Sequence, residues 1–200
     1  MSDAFSHPDF DRLQLAVTDA ARTVFQRAKA DHAHETFFAY VLSTYGSGAL
    51  GGCAVNTIEN HRRVWDKALA QSYTRIEEEP HYKWFCGEWQ EFEFVGDQFE
   101  FDAVYPLFNK AMETLEALLE QRGRDGADIY GVWEEHPVYI ALADALAQLD
   151  REGLFGSGET RRNTLVYVAQ YDGEPGIERW SIERLNPFAP EILKQEASSV

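Results

Sequence analysis

Apolar residues recur at helical spacing near the start of the chain. They are Leu13, Val17, Ala20, Val24 and Ala28. They lie three or four residues apart with charged residues largely between them, which is typical of an amphipathic helix that buries one face. Because Pro8 suits the first turn of a helix and Ser6 can cap it, the pattern predicts a helix from about residue 8 to residue 33.

Two apolar runs around a glycine-containing turn follow this helix. The first, Thr36–Thr44, is rich in β-branched and aromatic residues, and the second covers about 49–55. Such a pair predicts a β-hairpin, whose near-continuous first strand should be covered on both faces. A further run of this kind, Thr164–Tyr171, lies late in the chain. We expect Thr36–Thr44 and Thr164–Tyr171 to be strands of one helix-covered sheet.

Helical spacing also recurs in the segments between and after these strands. The segments are 57–72, 106–123, 137–153, 177–185 and one after Pro187. Strands grouped early, with one returning late, indicate an α+β fold. We therefore predict a single α+β domain over residues 1–200, with an ordered core of about 8–195 and a mostly antiparallel sheet covered by several helices.

The charge balance narrows the classes of partner. The chain has 18 Lys and Arg against 34 Asp and Glu, a net charge of −16. Such a chain repels phosphate backbones and anionic lipid, so we expect no binding to nucleic acid or to a membrane and favour a basic protein partner. The first residues lack the apolar core of a signal peptide, and no apolar run approaches the length of a membrane span, so we expect a cytoplasmic protein.

Two short patterns could bind a cofactor or a metal, and neither has the context that this chemistry needs. Gly46–Gly51 matches a dinucleotide-binding pattern, but it leads into a predicted strand rather than a helix. His32, His34 and Glu35 lie in a predicted loop without a fourth ligand placed by the pattern. We therefore expect neither a cofactor nor a metal, and Cys53 and Cys86 are interpreted as small buried hydrophobic residues.

Residues 77–102 combine nine acids with eight aromatic residues and one lysine. The residues around 91–94 and 99–102 alternate, so a strand there would place rings on one face and carboxylates on the other. The rings could be core and the acids merely solvated, or the segment could bind a basic partner. The candidate partner-binding residues are Trp84, Glu88, Trp89, Glu91 and Glu93.

A carboxylate–imidazole group offers the main alternative, a catalytic site. Glu134, Glu135 and His136 could serve in general acid–base chemistry. The same residues lie directly before Pro137, where acids complement the start of a helix without any catalytic role. They are the catalytic candidates of this chain.

Several short segments together resemble a known family. They are Phe38–Leu42, Cys53–Thr57, Tyr82–Trp89, Leu149–Gly156 and Arg184–Pro187. In this order they are similar to the bacterial domain of unknown function 4303 family, over most of the chain. The resemblance implies no activity and no catalytic residues, because the family has none established. Its members look like small acidic bacterial proteins encoded beside polymorphic toxins and their immunity genes.

Together these observations favour a non-enzymatic binding protein. We expect an acidic, immunity-type inhibitor that occludes a basic protein partner such as a bacterial toxin. The alternatives are a small enzyme that uses the Glu/His site and a scaffold or accessory protein. Both a monomer and a homodimer are compatible with the sequence.

Overall fold

Helices and strands follow one another largely in the order that the hydrophobic pattern predicts. The computed structural model describes residues 6–45, 49–70, 75, 78–89, 98–123, 135–171 and 176–198. The helices are α1 (Pro8–Asp31), α2 (Ile58–Ala70), α3 (Glu79–Trp84), α4 (Tyr105–Gln121), α5 (Pro137–Arg151), α6 (Gly158–Arg162), α7 (Gly176–Leu185) and α8 (Glu191–Ala197). The strands are β1 (Phe37–Tyr45), β2 (Leu50–Thr57) and β3 (Leu165–Tyr171).

The strands of the described residues form one sheet in the order β2-β1-β3. β1 and β2 form the antiparallel hairpin, in which Tyr40 lies opposite Val55. β1 and β3 are parallel, with Tyr40 beside Val166. A parallel pair needs a long crossover, and helices α2 to α6 lie between these two strands in the sequence. The α+β prediction is confirmed, as is the pairing of the two predicted strands in one sheet.

Each face of the sheet is covered by helices, which explains the near-continuous apolar character of β1. One face carries Tyr40, Leu42 and Val168 and packs in one cluster with residues of α1, α4 and α5. The opposite face carries Val41 and Tyr167 and packs with residues of α3, α7 and α8.

Side chains of α7 and the residue after it close the free edge of β3. Asn186 accepts from the Val166 amide at 2.9 Å and donates to the Val166 carbonyl at 2.8 Å. Ser181 Oγ accepts from the Val168 amide at 3.0 Å and lies 3.1 Å from the Val168 carbonyl. Glu178 Oε1 accepts from the Gln170 amide at 2.6 Å. These side chains replace the ladder of a further strand, and an exposed edge would otherwise invite pairing with another chain.

The side-chain amide of Gln98 satisfies backbone groups at the edge of β2 in the same way. Gln98 Oε1 accepts from the Cys53 amide at 2.8 Å, and Gln98 Nε2 donates to the Cys53 carbonyl at 3.0 Å. Gly52 has a φ of 115° and passes so close that a Cβ there would lie 2.5 Å from Gln98 Oε1. The backbone conformation therefore requires glycine, and a side chain at this position would also push Gln98 away from its bonds to Cys53.

Two local details differ from what the sequence suggests. The alternating residues Phe99–Phe101 form a 3₁₀ turn, next to Gln98, whose side chain is bonded to β2. Of the two rings, Phe101 is buried and Phe99 is 70% exposed. The cap of α1 is His7 rather than Ser6, since His7 Nδ1 accepts from the Asp9 amide at 3.3 Å.

Candidate functional site

Exposed aromatic and acidic side chains lie at the end of β1 and in the segment that leads into α4. Tyr45 is the last residue of β1, Tyr105 is the first of α4, and Phe99 follows the Gln98 that is bonded to β2. Their side chains are at least one-third exposed. Asp102, also exposed, adds a carboxylate between Phe99 and Tyr105 in the sequence. We call Tyr45, Phe99, Asp102 and Tyr105 the hairpin-end surface.

The electrostatics of Tyr105 link these residues. Partial burial, the Asp102 carboxylate and Tyr45 together raise the pKa of Tyr105 above its ordinary value. Burial and the negative charge of Asp102 both favour the neutral form of the Tyr105 hydroxyl. The hairpin-end surface combines large rings, which bury area on binding, with a carboxylate that attracts cations.

A second group of rings adjoins Tyr45 on the other strand of the parallel pair. Tyr45 stacks on Tyr171, with ring centroids 5.3 Å apart, because β1 and β3 run parallel and end side by side. Tyr171 meets the edge of Phe85 at 6.1 Å, and Phe85 stacks on His81 at 4.9 Å. We call these four side chains the ring row.

Glu88 gives the ring row a carboxylate. Glu88 Oε1 lies 3.6 Å from His81 Nε2, and both side chains are partly exposed. Glu88 belongs to the 3₁₀ turn Cys86–Glu88 that follows α3. Of the predicted partner-binding residues that the structure describes, Glu88 is therefore the one available at the surface.

The two predicted tryptophans have a different position. Trp84 and Trp89 are buried and pack with the sheet face that carries Val41 and Tyr167. The Trp89 indole donates to the Lys83 carbonyl at 3.2 Å. The rings are thus part of the core, the first of the two interpretations that the sequence left open. Glu91 and Glu93 lie outside the described residues.

In the predicted carboxylate–imidazole group, His136 is not accessible to solvent. Its imidazole is 0% exposed, lies 4.4 Å from the Tyr139 ring, and has a pKa lowered by burial to about 4. Glu135 is exposed, and Glu134 lies outside the described residues. Helix α5 begins at Pro137, in agreement with the interpretation of these residues as a helix start. A buried neutral imidazole cannot exchange protons with a bound substrate unless the site opens.

Sequence reasoning missed Glu178, the carboxylate with the largest pKa displacement among the described residues. Burial raises its pKa to about 7, against its bond from the Gln170 amide. Its other oxygen, Oε2, is buried without a hydrogen-bond partner among the described residues. No local pattern marks Glu178, because its burial results from the docking of α7 on the distant strand β3. We assign it to the closure of the sheet edge.

The remaining candidates for chemistry have structural partners. The Glu35 side chain is 5% exposed and is bonded to the Thr57 hydroxyl and to Arg63. Burial alone would raise its pKa, but these two partners hold it below the ordinary value. Cys53 and Cys86 are buried, as predicted, and burial raises the pKa of the Cys53 thiol. No three His, Cys, Asp or Glu side chains of the described ranges are grouped as metal ligands.

None of the helices in the described part of the chain is long and apolar enough to cross a bilayer.

Comparison with known proteins places the chain in one family. Searches of curated proteins and of solved structures found no significant match. A family model described as a domain of unknown function (DUF4303) matches residues 17–187. This range includes the sheet, helices α2 to α7 and both groups of exposed rings, and the chain therefore belongs to the DUF4303 family.

Proposed function

We propose that this protein is a non-enzymatic binding protein that occludes a basic protein partner in the bacterial cytoplasm. The hairpin-end surface is the main support, because Tyr45, Phe99 and Tyr105 are exposed there and Asp102 and Tyr45 both act on Tyr105. Exposed large rings grouped on one surface are typical of binding sites. The net charge of −16 supports a cationic partner.

The proposal moves the apolar anchors away from the tryptophans. Trp84 and Trp89 are buried against one face of the sheet. The rings at the end of β1 and before and at the start of α4 are exposed and can be desolvated by a partner. Glu88 remains an acidic contact, and Glu91 and Glu93 remain candidates from the sequence. Acids around a ring cluster accelerate the encounter with a basic surface, which suits an inhibitor that must act before its target does.

Members of this family resemble acidic bacterial proteins encoded beside polymorphic toxins, and a toxin is therefore the preferred partner. An immunity-type inhibitor needs tight occlusion rather than catalysis. The inaccessibility of His136 supports this choice over the enzyme alternative.

Charge reversal on the acidic segment tests the proposal. The partner is first captured from the native host, identified and purified. We expect a basic protein that binds in equal stoichiometry. A variant with Glu88→Lys, Glu91→Lys and Glu93→Lys should then associate at least about ten-fold more slowly with it, because opposite charge steers the encounter. Stopped-flow kinetics at several salt concentrations measure this rate.

A charge-matched control separates a local surface from overall charge. Asp11, Glu116 and Glu120 are exposed on α1 and α4, and their reversal to Lys changes the net charge by the same amount. This control should keep most of the association rate. Co-expression with the partner completes the test: the protein should suppress the growth defect, and the Glu88/Glu91/Glu93 variant should not. Equal rates for both variants, or a partner that is not basic, would contradict the proposal.

Truncation of Trp89 tests whether this ring belongs to the core or to the binding surface. Trp89→Ala should lower the free energy of unfolding by about 3–5 kcal/mol, because it empties a buried site. Tyr105→Ala should change it far less and should instead raise the dissociation rate of the complex. Urea denaturation and dissociation kinetics of both variants distinguish the two roles. If Trp89→Ala is as stable as the native protein and no longer binds the partner, Trp89 is the binding anchor and the proposal is wrong on this point.

A further inference from the structure

The ring row has a geometry that the fold maintains at several points. Tyr45 and Tyr171 are held together by the parallel register of β1 and β3, in which they are direct neighbours. His81 lies in α3 and Phe85 directly follows this helix, so the two rings are one helical turn apart. None of the four side chains is fully buried, so the row presents aromatic surface to solvent at the carboxyl ends of two parallel strands. Ligands of parallel sheets commonly bind at this end.

Gly87 is the residue that lets the two halves of the row meet. A Cβ at this position would lie 2.6 Å from the Phe85 ring and 3.2 Å from the Tyr171 ring. Any side chain at position 87 would therefore displace Phe85 from Tyr171. Position 87 thus gives a way to disturb the row without a change of charge.

The charge around the row selects the chemistry of its occupant. Aromatic faces attract cations through their quadrupole, and a nearby carboxylate strengthens this attraction. Glu88 stands next to His81 at the end of the row, and the whole chain carries a net charge of −16. An anion would be repelled by Glu88 and by the net charge, whereas a cation is attracted both by the rings and by this carboxylate.

We propose that the ring row binds a cationic side chain, a guanidinium or an ammonium group, presented by a basic protein. This deepens the proposed function, on which the source of the side chain rests. A guanidinium is favoured, because it is planar and weakly hydrated and can stack on a ring while it donates to a carboxylate.

A titration with capped amino acids tests the site directly. The probes are N-acetyl-arginine N-methylamide and the matching derivative of citrulline, which has nearly the same shape and no charge. Ring resonances of Tyr45, Phe85 and Tyr171 are followed by NMR. We expect the arginine probe to shift them in a saturable way and the citrulline probe to leave them unchanged. Equal shifts by both probes would overturn the proposal.

Variants of the row and of a distant ring complete the test. Gly87→Ala and Tyr45→Leu should each weaken arginine binding by about two- to five-fold, the range of a surface cation–π contact. Phe188→Ala, which removes a fully separate exposed ring on the turn between α7 and α8, should leave it unchanged. Near-ultraviolet circular dichroism checks that each variant is folded. Binding that survives both row variants would overturn the assignment.

The failure of this inference can be told from the failure of the proposed function. If the captured partner binds the Gly87→Ala protein as tightly as the native protein, the row is not its site. The Glu88/Glu91/Glu93 variant still tests the function in that case. If the arginine probe binds the row and no basic partner is captured, the site stands and the proposed function fails.

Discussion

Glu178 illustrates how a single side chain can serve the fold at an electrostatic cost. Its carboxylate accepts the Gln170 amide at the edge of β3, and burial raises its pKa to about 7. His136 has the opposite displacement, with a pKa lowered to about 4. Both groups favour their neutral forms in the folded chain, because burial penalises the charged form of an acid and of a base alike.

Glu178 therefore predicts a defined pH dependence of stability. The folded chain holds the Glu178 proton more tightly than the unfolded chain does, whose pKa is near 4.5. The stability from this group is complete below about pH 4.5 and is lost as the pH rises towards 7. Glu178→Gln, which is neutral throughout, should thus gain up to about 3 kcal/mol relative to the native protein between pH 4.5 and 8.

Urea denaturation at pH 4.5, 6 and 8 measures this difference. The slope from His136, which lowers stability as the pH falls from about 6.5 towards 4, is common to both proteins and cancels. A difference that does not vary with pH would show that Glu178 is ionised without cost.

At the scale of elements, one arginine joins four segments of the chain. Arg161 of α6 binds both oxygens of Asp150 in α5, at 2.6 and 2.9 Å. It also donates to the carbonyls of Thr164, just before β3, and of Leu185, at the end of α7. A planar guanidinium can make these bonds at once, and an ammonium group cannot.

Replacement of this arginine by lysine should be costly although the charge is kept. We expect Arg161→Lys to lower the free energy of unfolding by about 2–3 kcal/mol, since hydrogen bonds of a charged donor are lost in a partly buried place. The neighbouring Arg162 is exposed, so Arg162→Lys should change stability by less than about 0.5 kcal/mol. Thermal and urea denaturation compare the two, and similar losses would argue against the role of Arg161.

The elements whose signal is local were predicted from the sequence. The apolar stripe of α1, the hairpin, and the helix that begins at Pro137 are defined by neighbours a few residues away. Phe99–Phe101 shows the converse: its alternation would suit a strand, but the segment forms a 3₁₀ turn next to Gln98, which is bonded to the distant Cys53. Long-range contact, which residue types alone do not encode, decided that segment.

The candidate site followed the same division. The aromatic and acidic composition of residues 77–102 directed attention to a segment that contains Phe85, Phe99 and Asp102, and Glu88 of this segment is partly exposed. Which rings are buried could not be read from composition, because Trp84 and Trp89 depend on the packing of α3 against the sheet. Tyr45 and Tyr171 meet only after β1 and β3 have paired.

At the scale of the whole molecule, the excess of acids acts on the folded state itself. A net charge of −16 makes the compact state repel itself, and salt screens this repulsion. Exposed ion pairs such as that of Lys110 with Glu113 compensate little of it.

Stability should therefore rise with ionic strength. We expect the Tm to increase between 0.01 and 0.3 M sodium chloride, as the Debye length falls from about 30 Å to below 10 Å. In a chain of this size each 1 kcal/mol corresponds to about 2–4 °C. The Asp11/Glu116/Glu120→Lys variant carries less repulsion and should show a smaller rise in calorimetry. A Tm that falls with salt would mean that attractive pairs dominate.

The closure of β3 by α7 has a consequence for the order in which the chain is made. β3 begins 120 residues after β1 ends, and the side chains that close β3 follow it. At about 5–20 residues per second, the partner edge of β1 waits roughly 6–24 s during synthesis. When β3 then emerges, its outward amides and carbonyls have no intramolecular partner until Ser181 and Asn186 leave the ribosome. A chain that stops before Gly176 keeps that edge open, and the nearest matching chemistry is a strand of another unfinished copy.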